Sequence, residues 1–494
     1  MSQGGRGRKA RDHWTAMVRA LADDPYWPTR NPVGFFRGVR HPVDRRPPGP
    51  RGRPGVGILP EFLRDPFEYV RECQQIYGDV FRLPFPLRET VFVCHPDHVK
   101  HVMNNPCNAY SMGGNVGARL NKVIGASVAT LEGDVFRQRR KLIAPLFGAR
   151  SLSTMADGIA NEFVGRIDRW EIYAETGAVI DLQYEIAKVT LPAFMRAMFS
   201  IKVTDREVCD LDVDLHAVLR AAAAVCFICT PPNLIPAPGV DSFPKSWFRL
   251  RKWVSQQIDY RIGHPIERQD LFETLLNAQY DDGSAIRRKD LIQETAMLIA
   301  GGYETVVAAL SWTLALLDGN REARVKLYEE VDALDGRQPT YNDLQSLTWA
   351  KACFDEGQRL QGHPMNPRFA MRDDWIDGYF IPRGTLIGVP MYTLHRDTRW
   401  WQNPDSYDPN RFANPAQVQS RPATSFLPFG FGPHRCIGSA LGYMNAQFLL
   451  AIIHQRYCVN FPIGWQPRHS PKFSIAVEGG LPATLTVRKD SSRK

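Results

Sequence analysis

The 494-residue chain is long enough for two or three ordinary domains, or for one large domain with a deep interior, so organisation along the sequence has to decide. Its formal net charge of +9 invites a nucleic-acid reading, yet residues 1–53 hold twelve Lys/Arg against four Asp/Glu, a balance of +8, which leaves the body at +1 and no nucleic-acid partner expected. The nine cysteines are odd in number and scattered, which argues against a disulfide framework and for a reducing compartment.

In chain order, the opening MSQGGRGRKARDHW holds no continuous apolar core of a secretory signal, and the closing SSRK is no obvious address, so a cytoplasmic protein is expected. Residues 1–53 read as a solvated basic arm rich in Arg, Gly and Pro. Within it Trp14, Met17, Val18 and Leu21 have helical spacing, which predicts a short amphipathic helix that packs on the body or touches a lipid surface. PFEYVRECQQIYG then predicts a helix ended by Gly78, followed by strands in DVFRLPF and ETVFVC and a helix from Pro96. Residues 134–280 are mainly helical in pattern, interrupted by TPPNLIPAPG at 230–239. Ala296 to Leu317 runs 22 residues with one charge, enough to span a bilayer; the neighbouring glycines, the mid-run Glu304 and the lack of a second such run favour a helix crossing a large soluble core. The shorter apolar stretch Ala217–Ile228 reads as a pocket wall. Helices continue to about Leu360, short strands and turns occupy DGYFIPRGTLIGVP, and FSIAVEGGLPATLTV predicts a β-hairpin across Gly479 and Gly480. The sum is one large domain, residues 54–494, mainly α with small β-sheets, in the α+β class.

The stretch FGFGPHRCIGSALG, Phe429 to Gly442, carries the chemistry. A free cysteine is most often a small buried hydrophobe, and Cys226 and Cys229, a CxxC without a second pair or a nearby histidine, predict neither zinc nor redox chemistry. Cys436 differs: Ile437, Leu441, Met444, Phe448, Leu449, Ile452 and Ile453 trace an apolar helical stripe, so the cysteine sits at a helix start, where unpaired N–H groups favour the thiolate. Gly430, Gly432 and Gly438 leave the backbone open to something flat and large, and His434 and Arg435 offer donors to an anionic edge. One thiolate, an open glycine loop and cationic donors fit a haem iron held by sulfur, with propionates nearby.

FGFGPHRCIG resembles the haem-binding signature of the cytochrome P-450 superfamily, FxxGxRxCxG, with His434 at the usual arginine place. The resemblance implies haem b as cofactor, Cys436 as the metal ligand, and Phe429, Gly430, Gly432 and Gly438 around it. It implies that Glu356 and Arg359, the ExxR pair, join Arg411 of YDPNRF in a buried triad holding the ligand loop. Arg368 in NPRF and Arg140 in GDVFRQRRKL align with propionate-binding arginines; Phe136 stands where tryptophan is usual, and LQGHP replaces the usual double proline after ExxR. AGGYETVV matches the oxygen-activation motif, so Gly301 and Gly302 are expected to open the central helix by a π-type distortion or kink beside Glu304 and Thr305, the catalytic acid and hydroxyl. The implied fold has that long helix over the haem and the cysteine loop on the opposite face.

The implied activity is monooxygenation of a hydrophobic small molecule by O2, the substrate being a terpenoid, fatty acid, steroid or aromatic compound lying between Ala221–Ile228 and the Tyr110–Thr130 loop. Nothing after Cys436 resembles a flavin, nicotinamide or iron–sulfur module, so electrons are expected from an external ferredoxin or flavodoxin with its reductase, docking near Arg435. Two other classes on the same scaffold, a peroxide-using or peroxide-rearranging enzyme and a non-catalytic haem carrier or gas sensor, would not need the Glu304–Thr305 pair.

Overall fold

Asp65 starts the first long helix by turning its carboxylate onto the N–H groups of Phe67 and Glu68, at 3.1 and 3.0 Å, with Pro66 in the first turn. Gly78 ends that helix at a φ of +90°, which a side chain would resist. These details come from a computed structural model that describes residues 45–85, 88–104, 109–112, 124–228, 243–267, 270–469 and 476–488, the side chains of 88 and 222–228 excepted. The arm before residue 45 with its amphipathic stretch, the CxxC side chains, the 230–239 segment and most of the two proposed pocket walls lie outside the described residues.

The helices of nine residues or more are α1 (Pro66–Tyr77), α2 (Pro96–Asn104), α3 (Gly133–Ile143), α4 (Ala149–Ile167), α5 (Leu182–Phe199), α6 (Asp205–Ile228), α7 (Phe243–Gly263), α8 (Arg288–Asp318), α9 (Arg321–Asp332), α10 (Thr348–Gln361) and α11 (Ser439–Arg456). The strands are β1 (Val80–Phe85), β2 (Arg88–Val93), β3 (Tyr110–Ser111), β4 (Ile180–Asp181), β5 (Asn366–Ala370), β6 (Asp374–Ile376), β7 (Tyr379–Ile381), β8 (Leu386–Val389), β9 (Tyr457–Asn460) and β10 (Pro482–Val487). Helices thus dominate and the sheets are small, as the α+β reading expects.

The largest sheet has the order β1-β2-β8-β5-β3, with β2 and β8 parallel and the other pairs antiparallel. Residues 45–53, at the end of the basic arm, run along its edge: Arg82 N–H donates to the Pro48 carbonyl at 2.8 Å, Arg46 pairs with Glu89, and Pro47 is buried. Among the described residues, β10 does not pair across Gly479 and Gly480 as the hairpin reading expects. β10 instead lies between β4 and β9, antiparallel to both, and Val477 bridges to His469. The reason is burial: Leu481, Ala483 and Leu485 face the core, while Asp181 comes so close to Gly480 that a Cβ would overlap its carboxylate, and Asp181 accepts from Leu481 N–H at 2.8 Å.

Helix α8 runs through the middle, packed by α5, α6, α7, α10 and α11. It is the one helix among the described residues long and apolar enough to cross a membrane, but 78% of its most apolar stretch is buried in the fold, as a core helix requires. Its glycines act differently from expectation. α8 is an unbroken α-helix across Gly301 and Gly302, without a π-type distortion. Gly302 takes the ring of Phe194 from α5, where a Cβ would overlap it, so its lack of a side chain serves helix packing.

Candidate active site

The loop before α11 folds back on itself through backbone bonds: Gly430 N–H to Leu427 O (3.1 Å), Cys436 N–H to Phe429 O (2.9 Å) and Arg435 N–H to Gly432 O (3.0 Å). Gly430 and Gly432 have φ of +71° and +72°, and a Cβ on Gly432 would overlap the Met103 carbonyl of α2, so these two glycines are required by the turn itself. Helix α11 begins at Ser439 with Gly438 as N-cap, which puts Cys436 in the loop ahead of the helix and not in its first turn. Burial pushes the thiol up, and the Gly438 N–H, Arg140 and Arg435 work against that rise. Protein atoms crowd the Cys436 sulfur although the residue keeps surface open to solvent, and Arg435 beside it is exposed, on a loop whose Phe429 packs against Tyr443, ring centroids 5.0 Å apart.

Behind the loop lies the triad. Arg359 donates through Nε and Nη2 to the two Glu356 oxygens at 2.7 and 2.8 Å, and through its remaining N–H groups to the carbonyls of His395, Pro404 and Ser406 at 2.7, 2.6 and 3.0 Å. Arg411 Nε and the Asp408 N–H also reach Glu356 Oε1, at 3.3 and 2.9 Å. All three side chains are buried, so this is a saturated ionic network and not a surface pair. His395 carries the connection to the ligand loop: its Nε2 accepts from Leu427 N–H at 2.9 Å, and burial between Arg359 and Arg396 depresses its pKa to about 3, leaving a neutral acceptor.

Three adjacent arginines on α3 take different fates. Arg137 pairs with Asp134 on the surface. Arg139 turns inward to Glu294 of α8 at 2.6 Å, and Glu294 also accepts from Val128 N–H at 3.0 Å. Arg140 goes to the loop, donating to the Arg435 carbonyl at 2.7 Å beside Cys436. His434 stacks on Phe136, centroids 4.0 Å apart, with Nε2 3.5 Å from Glu132. Arg368 on β5 is 3% exposed; it donates to the Pro367 carbonyl at 2.8 Å and to Asn366, but no carboxylate among the described residues comes within 4.0 Å of it. Burial lowers its pKa to about 10.

On α8, Gly301 and Thr305 are exposed in a helix that is otherwise mostly buried, one turn apart on one face. Thr305 Oγ1 donates to the Gly301 carbonyl at 2.8 Å. Glu304, 4% exposed, turns toward α6, where His216 Nε2 stands 3.6 Å from its Oε1. Burial raises the carboxyl to about 7 against the pull of His216. Sequence reasoning passed over His216, Asp212, Glu294 and His395; for the first two a signal existed, since Asp212, His216 and Arg220 recur at helical i, i+4, i+8 spacing.

The loop, the triad and the exposed turn of α8 belong to one recognisable arrangement: the family model described as cytochrome P450 matches residues 47–479. The chain belongs to the cytochrome P450 family. Cyclooctatin synthase of Streptomyces melanosporofaciens is 27% identical over 446 residues, covering 89% of this chain and 94% of its own. From the same organism, cyclooctat-9-en-7-ol 5-monooxygenase is 25% identical over 416 residues, covering 83% and 88%. The crystal structure of a cytochrome P450 named CYP102L1 superimposes with a TM-score of 0.78 at 20% identity, over 90% of this chain and all of that one, which is a likeness of fold. The protein is accordingly a cytochrome P450 monooxygenase, and the family's cofactor is haem b. The residues of this cytochrome P450 fit that group. Cys436 offers a free thiol on a loop shaped by the Gly430 and Gly432 turn, with Arg140 and Arg435 as nearby positive charges, and Arg368 is a buried guanidinium with no carboxylate within 4.0 Å among the described residues.

Proposed function

We propose that this protein inserts one atom of O2 into a hydrophobic small molecule, with electrons from a separate ferredoxin or flavodoxin and its reductase. Bound haem supplies the oxygen-activating iron chemistry, with Cys436 as its sulfur ligand. The chain's own residues do the rest. Gly430 and Gly432 make the turn of the cysteine loop, Gly438 leaves the space beside the sulfur free of a side chain, and Phe429 anchors the loop against α11. Arg368, Arg140 and His434 are the donors for the cofactor's two carboxylates; the uncompensated burial of Arg368 is the support for its part. Glu356, Arg359 and Arg411 hold the loop in place through the His395–Leu427 link.

The observation that carries the oxygenase reading is the pairing, at consecutive positions of α8, of a buried acid with a raised pKa of about 7 and an exposed hydroxyl. Glu304 can hold or release a proton near neutral pH, and Thr305 can order water on the exposed face; together they move protons into a site where the reduction of O2 consumes them. The name of the relative cyclooctat-9-en-7-ol 5-monooxygenase specifies an unsaturated alcohol, and we extend that class, a large hydrocarbon skeleton with few polar groups, to the substrate here. The exposed Arg435 next to Cys436, with Arg140 beside it, suits an acidic electron donor, and a cytoplasmic setting suits both partners.

Coupling tests the reading. With ferredoxin and its reductase as electron source, Thr305→Ala should divert reducing equivalents from product to peroxide by roughly tenfold or more. Unchanged coupling would remove Thr305 and Glu304 from the proton path. Cys436→Ser should abolish the red-shifted band of the reduced carbon-monoxide complex, and retention of that band would refute sulfur ligation.

A further inference from the structure

Glu304 is buried away from bulk water, so protons that leave it must be replaced through a neighbour. Among the described residues, the one ion-pair partner of its carboxylate is His216 of α6, at 3.6 Å. That imidazole is itself held: Nδ1 lies 2.9 Å from the Asp212 carbonyl and 3.2 Å from Asp212 Oδ1, which fixes the Nδ1–H toward Asp212 and leaves Nε2 facing Glu304. Asp212 is fixed in turn by the hydroxyl of Tyr303, which donates to its Oδ1 from α8. Exposure falls inward along the chain of groups: the His216 side chain is 28% exposed, that of Glu304 only 6%. The remaining charged or titratable groups facing this cluster are Arg220 on α6, whose Nε donates to the His216 carbonyl at 3.2 Å, and Tyr184 on α5, whose hydroxyl bonds Cys209 at 2.7 Å.

We propose that His216, oriented by Asp212, is the positioning residue through which protons reach Glu304 from the α6 side, so that Asp212, His216 and Glu304 form the supply end of the proton path. The proposal rests on the reading of Glu304 as a proton donor. In the transfer the Nε2–H bond of His216 breaks as an O–H bond forms on the Glu304 carboxylate; His216 becomes neutral and regains the proton at Nε2 from water on its exposed side. A small side-chain rotation closes the 3.6 Å gap to hydrogen-bond length. Two directions of charge agree with this use: the Asp212 contacts and Glu304 raise His216 to about 9 despite burial, so it is protonated at neutral pH, while Glu304 at about 7 can both accept and give.

The test needs no knowledge of the substrate. The haem-loaded enzyme is supplied with electrons by ferredoxin and its reductase, and the partition of reduced O2 between hydrogen peroxide and water is followed from pH 6 to pH 10. Both Glu304→Gln and His216→Asn should raise the peroxide-to-water ratio roughly tenfold at pH 7. Asp212→Asn should move the alkaline limb of the profile to lower pH, in step with the His216 titration read by NMR of carbon-13 histidine-labelled protein, a readout independent of turnover. A role in packing alone would move neither the limb nor the titration. If Glu304→Gln raises the ratio while His216→Asn and Asp212→Asn leave ratio and limb in place, the relay is overturned and Glu304 stands. If Glu304→Gln has no effect, the reading of Glu304 fails and the relay with it. Should His216→Asn not hold haem, the Asp212→Asn limb and titration decide alone: a His216 that titrates at the ordinary value, unmoved by that substitution, overturns the proposal.

Discussion

Arg368 is the residue whose surroundings are least complete without the cofactor. A guanidinium 3% exposed loses its hydration, and here it recovers only the Pro367 carbonyl and the Asn366 side chain, with Glu132 as a more distant negative charge. A carboxylate arriving at that position would gain a charge-assisted pair whose desolvation is already met. Arg368→Leu is therefore expected to release haem to apomyoglobin at least tenfold faster than the parent, with little change in the distal spectrum. Equal haem retention would remove Arg368 from the propionate site. The sequence made Arg368 legible because a short strand motif surrounds it, and likewise Glu356, Arg359 and Arg411, whose spacing and meander pattern are local. It aligned Arg140 with the propionate-binding arginines but gave no sign of the inward turn of Arg139, which is decided by Glu294, far along the chain on α8. His216 and Glu304 are paired across two helices for the same reason: the spacing of Asp212, His216 and Arg220 marked one helix face, but not that this face meets Glu304.

At the scale of elements, the crossing of α8 and α10 governs how the triad reaches the ligand loop. Gly357, inside the ExxR sequence, faces Thr313 of α8 so closely that a Cβ would overlap Oγ1, with Thr313 Cα and Cβ both 3.2 Å away. Its role is close approach, because the ordinary cost of glycine within a helix has to be offset by contact between the two backbones. Gly357→Ala should destabilise the fold by about 1–3 kcal/mol, measured by urea unfolding. Thr313→Ala removes the overlapping oxygen, so the double variant should recover part of that loss; strict additivity of the two effects would show that the contact does not limit the crossing. This contact was not legible, since a motif spacing says which residues recur and nothing about what crosses them. The same gap explains Gly302, read from the motif as a helix opening and found packed on Phe194, and the tail, where Gly479 and Gly480 suggested a hairpin. Turn residues announce a reversal, but the partner strand at 457–460 was selected by burial of Leu481, Ala483 and Leu485.

For the whole molecule, acid stability gathers contributions from places far apart in the fold. His395 in the meander and His454 in α11 are each 2% exposed, and burial lowers them to about 3 and about 4. His395 has a bond that needs the neutral ring, since its Nε2 accepts from Leu427 N–H; His454 Nδ1–H donates to the Leu450 carbonyl at 2.8 Å, a bond the charged ring would also make, so its neutrality comes from burial and from the nearby Arg488 and Arg324. A histidine near 6.5 when unfolded and far lower when folded binds its proton first in the unfolded chain, so its contribution is present above pH 6.5 and drains as the pH falls toward the folded value. Each costs about 1.4 kcal/mol per pH unit across that window, about 2.7 together. Glu304 opposes them. Raised from 4.5 to about 7, it binds its proton first in the folded protein, so it adds stability as the pH falls from 7 to 4.5, again by about 1.4 kcal/mol per unit. Unfolding midpoints in urea between pH 6 and pH 4.5 should therefore fall with acidification. In the His395→Gln, His454→Gln double variant the slope should shrink by about the 2.7 kcal/mol per pH unit these two supply, while His469, also lowered to about 4 by burial, keeps acting in the same sense against Glu304. A slope shared by parent and variant would mean that neither histidine is neutral in the fold, and the His395 link between the triad and the cysteine loop would then need a different proton on its ring.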